Sequence, residues 1–220
     1  MQLLILNSSP RKDWNTGTLL SRAMEGAVSA GAHTEIIHLY GLNFKGCSSC
    51  FSCKRLGGKS YGKCALKDDL SPILGKCAGA DALILGAPIY LGTVNACMQA
   101  FIERLAYPYL AYDAAKSSLA PKKMPIAFIY TFGATDERIK EAGYDQCVRT
   151  HEMFLKRIFG SFQSVRAVDT YQFDDYSKYE TSGINVAKKE KVREEIFPKD
   201  MEKAYALGIR IAEMAKGEHS

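Results

Sequence analysis

Several features are missing from this sequence, and each absence removes a class of explanation. No run approaches the roughly 20 consecutive apolar residues that cross a bilayer, so no membrane partner is expected. The only apolar start, Leu3-Leu4-Ile5-Leu6, is broken at once by Asn7-Ser8-Ser9-Pro10. It has no basic leader and is too short for a secretory signal, so a cytoplasmic chain is expected. There is no H-E-x-x-H and no Ser/His/Asp order that reads as a hydrolase, and no side chain is assigned a catalytic role. G-x-G-x-x-G is absent, which argues against a dinucleotide pyrophosphate on a strand–helix turn. G-x-x-x-x-G-K-[ST] is absent, which argues against a nucleoside-triphosphate loop. Internal repeats, low-complexity tracts and linkers are absent too, so a single domain over residues 1–220 is expected. Histidine is scarce, with 4 in 220 residues. His151 lies on an apolar helix face and reads as a core residue, while His33 and His38 have no partner motif.

What is present is globular. Apolar residues make up 47% and charged residues 24%, enough to bury a core without disulfides or a metal. The net charge of +5 is a weak hint of an anionic partner. Lys188-Lys189-Glu190-Lys191 mixes both signs and reads as a solvated helix face, not as a nucleic-acid arm.

Four apolar runs have strand length: Leu3–Leu6, Ile36–Leu39, Ala82–Leu85 and Ile126–Tyr130. Ser164–Val168 makes a weaker fifth. Helical spacing follows each. Leu19, Leu20, Ala23, Met24, Ala27 and Val28 precede a stop at Gly31. Asp68 is the expected N-cap for Leu70, Ile73, Leu74 and Cys77. Val94, Met98, Phe101, Ile102 and Leu105 form a third face. Tyr144, Cys147, Val148, His151, Phe154, Leu155 and Ile158 form a fourth. A last helix is expected from about Lys199 to Lys216, with Pro198 in its first turn. Apolar strands alternating with amphipathic helices predict an α/β fold, a doubly wound five-stranded parallel sheet with helices on both faces. Two long connections, 106–124 and 169–187, are rich in tyrosine and read as lids or interface pieces.

In such a sheet, ligands bind beyond the carboxyl ends of the strands. The loop after the first strand carries Ser9, Arg11, Asn15, Thr16 and Thr18 at the start of a helix, where free N–H groups favour an anion. A phosphate monoester such as FMN suits that donor set; ordinary turn and cap chemistry is the competing reading. After the third strand, Pro88, Ile89, Tyr90 and Gly92 offer backbone groups and a flat aromatic face. A plain strand–helix turn is the alternative there.

Taken together, Ser9-Pro10-Arg11 with Asn15-Thr16, Ala80-Asp81-Ala82 leading to Pro88-Ile89-Tyr90, and Phe101-Ile102-Glu103-Arg104 resemble the NADPH-dependent FMN reductase group of the flavodoxin superfamily. The nearest likeness is to its iron–sulfur flavoprotein branch. The resemblance covers residues 1–105, and beyond 125 it includes Tyr130-Thr131-Phe132-Gly133, similar to a third flavin-side loop. It implies strand order 2-1-3-4-5 and bound FMN. The phosphate would lie on Ser9, Arg11, Asn15, Thr16 and Thr18. The ring would lie on Pro88, Ile89, Tyr90 and Gly92, with Thr131 and Gly133 beside it. It implies a homodimer or homotetramer. It also implies an oxidoreductase that takes reducing equivalents from NAD(P)H to a small acceptor such as a quinone or flavin, the flavin itself performing the chemistry.

The alternative is an electron carrier using ferredoxin. It rests on Cys47, Cys50, Cys53 and Cys64. C-x2-C-x2-C suits three corners of a [4Fe–4S] cluster, but the ten-residue gap to Cys64 is longer than the branch it resembles. Zinc would want a second C-x2-C. The expectation is free thiols, with a cluster as the competing reading.

Overall fold

The computed structural model describes residues 1–115 and 117–217. Its elements are β1 (Gln2–Asn7), α1 (Asn15–Ser29), β2 (His33–His38), α2 (Leu70–Gly79), β3 (Ala82–Tyr90), β4 (Thr93–Val94), α3 (Ala96–Ala106), β5 (Met124–Thr131), α4 (Asp136–Glu141), α5 (Asp145–Phe159), β6 (Gly160–Ala167), α6 (Val186–Lys191) and α7 (Phe197–Gly217). Five strands form a parallel sheet in the order β2-β1-β3-β5-β6. This is the expected flavodoxin-like order once the small β4 is set aside.

Alternation along β1 assigns its side chains to two layers. Leu4 and Leu6 join the core beneath α2, α3 and α5, and Leu3 and Ile5 join the core beneath α1 and α7. Every residue of β5 is buried, as a central strand covered on both faces requires. On the second face α1 and α7 touch backbone to backbone. A Cβ on Gly26 would lie 2.0 Å from the Tyr205 carbonyl oxygen, and one on Gly208 would lie 1.9 Å from that of Ala23. Only glycine permits that approach.

Several boundaries differ from expectation, each for a local reason. Pro88-Ile89-Tyr90 is not a loop but the end of β3. Pro88 pairs with Thr131, and Ile89 and Tyr90 pair with β4, which includes the Val94 expected in a helix. Leu91 (φ 52) and Gly92 (φ 82) form the two-residue turn of this hairpin, both in the left-handed region that such a turn needs. The third helix instead starts after Asn95, whose side chain accepts from the Met98 N–H. The second helix is preceded by Asp69 rather than Asp68; the Asp68 carboxylate still accepts the Leu70 N–H at 3.2 Å. β6 starts four residues before the expected Ser164, and Val168 lies outside it. The last helix continues a helical run that begins at α6 and passes through a π-helical turn, Val192–Ile196. That wider turn ends two residues before Pro198, which has no N–H to give to an ordinary α-turn. Phe154 is 38% exposed rather than buried, while His151 is buried and stacks on Phe128 with a centroid separation of 5.7 Å. No helix among the described residues is long and apolar enough to cross a membrane.

Candidate functional site

β1, β3 and β5 end at one edge of the sheet. The chain leaves β1 toward β2 on one side and later returns to β3 on the other, so the crevice lies where the winding reverses. A cavity of about 90 Å³ opens there. Ser9, Arg11, Asn15 and Thr16 border it from the β1–α1 loop, Pro88, Ile89 and Tyr90 from the end of β3, and Thr131 and Gly133 from the end of β5. Nine of the residues expected at a site are thus brought together. Thr18 and Gly92 are not among the cavity's lining. The Thr18 hydroxyl sits 3.5 Å from the carbonyl oxygen of Asp13, five residues back in the loop before α1. Gly92 serves the turn instead, since a Cβ there would lie 2.7 Å from the Tyr144 ring.

The sequence around the loop explains its shape. The Asn7 side chain accepts the Ser9 N–H at 2.9 Å and donates to the Lys12 carbonyl at 3.3 Å, folding residues 8–12 back over the strand end. Ser8 donates to Asn95 at 2.8 Å, and the Asn95 amide donates back to the Ser8 carbonyl at 2.7 Å. This reciprocal pair joins the loop to the start of α3. The Ser9 hydroxyl donates to the Arg11 carbonyl, and the buried Thr16 and Thr131 hydroxyls share a 2.8 Å hydrogen bond across the cavity. The start of α1 has no side-chain cap and no acidic residue in its first turn. Its leading N–H groups and positive dipole end therefore meet no compensating charge of their own helix.

Residues outside the sequence reading complete the wall. Thr170, Tyr171 and Gln172 lie across the cavity, and their carbonyl oxygens are held from three directions. The Trp14 indole and the Asn15 amide donate to Tyr171 at 3.0 and 2.7 Å, and Arg11 donates to Gln172 at 2.6 Å. Arg11 and Asn15, expected to face an anion, thus also tie down this strap. Trp14 lies between two cations, with the Arg11 guanidinium 4.9 Å and that of Arg193 5.9 Å from its ring. Lys189 is the clearest departure. Read as part of a solvated face, it is buried and pairs with Asp169 at 2.7 Å. Nothing in the local sequence marks it, because its partners are remote: besides Asp169 they are the Thr170 and Gly133 carbonyls, 19 and 56 residues away.

The cysteine loop forms a separate region. Cys47, Cys50, Cys53 and Cys64 border one void of about 20 Å³, room for about a single water. Among the described residues no group of three or more His, Cys, Asp or Glu side chains is placed to hold a metal ion. Cys64 Sγ accepts from Arg104 Nε at 2.8 Å, and the same buried guanidinium holds both oxygens of Asp68, at 2.8 and 3.1 Å. In this arrangement the four thiols do not fit a cluster. Cys50 is exposed, and hydrogen bonds from the backbone and hydroxyl of Ser52 lower its pKa. Burial raises that of Cys53.

Comparison with known proteins bears on the family and the fold. The model of the NADPH-dependent FMN reductase family matches residues 1–142. An iron–sulfur flavoprotein from Methanocaldococcus jannaschii is 35% identical over 104 residues, 47% of this chain and 51% of the relative. The chain spans about half the length of the curated relatives it matches. Among solved structures, an NAD(P)H:quinone oxidoreductase from Methanothermobacter marburgensis superposes with a TM-score of 0.68 at 18% identity, covering 96% of each chain. An FMN-dependent NADH-azoreductase from Bacillus anthracis, solved with FMN, superposes at 0.60 with 15% identity over 94% of this chain and 99% of that one. At such identities the superpositions speak for the fold.

Proposed function

The chain belongs to the NADPH-dependent FMN reductase family, and from that premise we propose that it is an oxidoreductase that binds FMN at the β1–β3–β5 edge. It takes reducing equivalents from NAD(P)H and delivers them to a small acceptor such as a quinone or a free flavin. The observation that carries this reading is the convergence of hydroxyls, an uncapped helix start and two strand ends on one cavity at the switch point.

The donor set suits a phosphate monoester. Ser9, Thr16 and the leading N–H groups of α1 would hold the phosphate, with Arg11 adding charge. Pro88–Tyr90 and Gly133 would face the ring, and the 170–172 strap would keep water from it. When bound, the flavin supplies the hydride and electron transfer. The side chains have the simpler tasks of binding, orienting and excluding water, and none is assigned proton transfer. A second copy of the chain is the proposed partner. It would pack on the apolar groove of about 430 Å³ between α3 and α5, where Phe154 is exposed. The second reading, an iron–sulfur flavoprotein or flavodoxin-type electron carrier using ferredoxin, draws its support from the curated iron–sulfur relatives; the hold of Arg104 on Cys64 counts only against its cluster.

The test is retention and bleaching. Protein reconstituted with FMN and desalted should keep the flavin band near about 450 nm, and anaerobic NAD(P)H should bleach it rapidly. Flavin that washes away, or that stays oxidised with both nicotinamides, would overturn the reading.

A further inference from the structure

The family match ends at residue 142, yet two cations far beyond it reach the site. Lys189 lies on α6 and is 5% exposed. Its ammonium meets Asp169 Oδ1 at 2.7 Å and donates to the Gly133 carbonyl at 2.6 Å and the Thr170 carbonyl at 3.2 Å. Three donors meet three acceptors, so the group is saturated. Gly133 and Thr170 both border the cavity. The β5 and β6 ends are laced together around them, through Thr170 N–H to the Phe132 carbonyl and Asp169 N–H to the Ala134 carbonyl, on either side of Gly133. Asp169 holds the left-handed conformation (φ 53) in doing so. A buried ion pair is a weak source of stability, since an apolar side chain of similar volume packs as well. Its value here lies in geometry: it fixes two carbonyls that line the cavity.

Arg193 follows in the π-helical turn, a feature often found at functional sites. Its Nη1 donates to Asn15 Oδ1 at 3.2 Å, at the start of α1. The Asn15 amide is thereby oriented to donate to Tyr171. One cation thus addresses the β5–β6 wall and the other the β1–α1 loop.

We infer that Lys189 and Arg193 are positioning residues of the cofactor site, Lys189 fixing the wall of Gly133 and Thr170 and Arg193 fixing the start of α1. The inference rests on the proposed FMN reading and divides the labour within it. Lys189 supports the part of the cavity assigned to the ring, which FMN and riboflavin share. Arg193 supports the part assigned to the phosphate, which only FMN has.

Dissociation of FMN and of riboflavin from the full chain, followed by recovery of flavin fluorescence, separates the two roles. Lys189→Met should release both ligands roughly tenfold faster and change the visible circular dichroism of bound flavin. Lys189→Arg should restore part of each. Arg193→Met should speed FMN release much more than riboflavin release, the smaller effect passing through Asn15 to the Tyr171 strap; equal acceleration of both, or of neither, would overturn the role given to Arg193. Asp169→Asn with Lys189→Met removes the stranded carboxylate, so a fold weakened by an unpaired charge is set apart from a loosened wall. Thermal unfolding of the flavin-free variants supplies the reference. If the folded Lys189 variants release both flavins at the wild-type rate with the wild-type dichroism, the inference fails while the FMN reading stands. It also fails if Lys189→Arg does no better than Lys189→Met. Wild-type protein that retains no flavin would overturn both.

Discussion

The edge of the sheet and the cysteine loop are built on opposite plans. At the edge, backbone and hydroxyl groups are held by short bonds to strands and helix ends: Ser8 to Asn95, Thr16 to Thr131, Trp14 and Asn15 to Tyr171. In the cysteine loop, Ser49 and Phe51 take positive φ, and long cationic side chains supply much of the anchoring. Arg104 holds Asp68, Cys64 and the Lys45 carbonyl. Lys54 holds the Tyr107, Pro108 and Leu110 carbonyls. The difference teaches that spacing of functional side chains is not enough to make a site. The hydroxyls sit on rigid elements and surround a cavity, whereas the thiols sit on a loop drawn in by arginine and lysine and surround almost nothing.

The comparison can be broken first at the edge. Arg11→Ala with Thr16→Ala should weaken FMN by about 3 kcal/mol or more, since each charge-assisted bond is worth about 1.5–3 kcal/mol. Riboflavin should be far less affected. Titration with both flavins checks it, and equal weakening would place the phosphate elsewhere.

In the loop, Arg104→Met should destabilise the chain by about 3 kcal/mol, because the Asp68 carboxylate and the Lys45 carbonyl lose their donor. A lower urea midpoint at pH 7 is the readout. The hydrogen bond from Arg104, joined by its charge, lowers the Asp68 pKa. A depressed carboxyl stabilises the fold above its unfolded pKa, and that stability is lost as pH falls through the folded value. The difference between wild type and Arg104→Met should therefore shrink below about pH 4.

A third test uses His151, buried on α5 against Phe128 and outside both regions. Burial lowers its pKa to about 4. The unfolded chain then binds the extra proton between pH 6.5 and 4, so stability from this group is complete above about 6.5 and falls with pH. At pH 5 the loss should be about 2 kcal/mol. Urea unfolding at pH 7 and pH 5 should show it, and His151→Phe should remove that part of the pH dependence.

The smallest effect sharpens the contrast. Cys50→Ala should leave FMN affinity and NAD(P)H oxidation unchanged, because Cys50 borders the void and not the cavity. A marked loss of either would tie the two regions together. Iron and sulfide assays on anaerobically prepared protein complete this test, with about four irons per chain counting against free thiols.

The sequence by itself determined the layers and the position of the cavity. Continuous apolar strands can be buried only under helices on both faces, and helix starts at strand ends present N–H groups wherever the winding reverses. That Ser9, Thr16 and Pro88–Tyr90 border the cavity was legible because their placement follows from strand and helix positions within a few residues, although Pro88–Tyr90 end a strand rather than form a loop. The tertiary structure decided what depends on distant approach. It placed Lys189 in the interior beside Asp169, brought Arg193 to Asn15 across 178 residues, and laid the carbonyls of 170–172 over the loop. It also gave Cys64 to Arg104 rather than to its fellow cysteines. Local pattern records which face of an element is apolar. It holds no record of which remote charge a buried carbonyl or thiol will meet, since that follows only once the sheet has set the elements side by side.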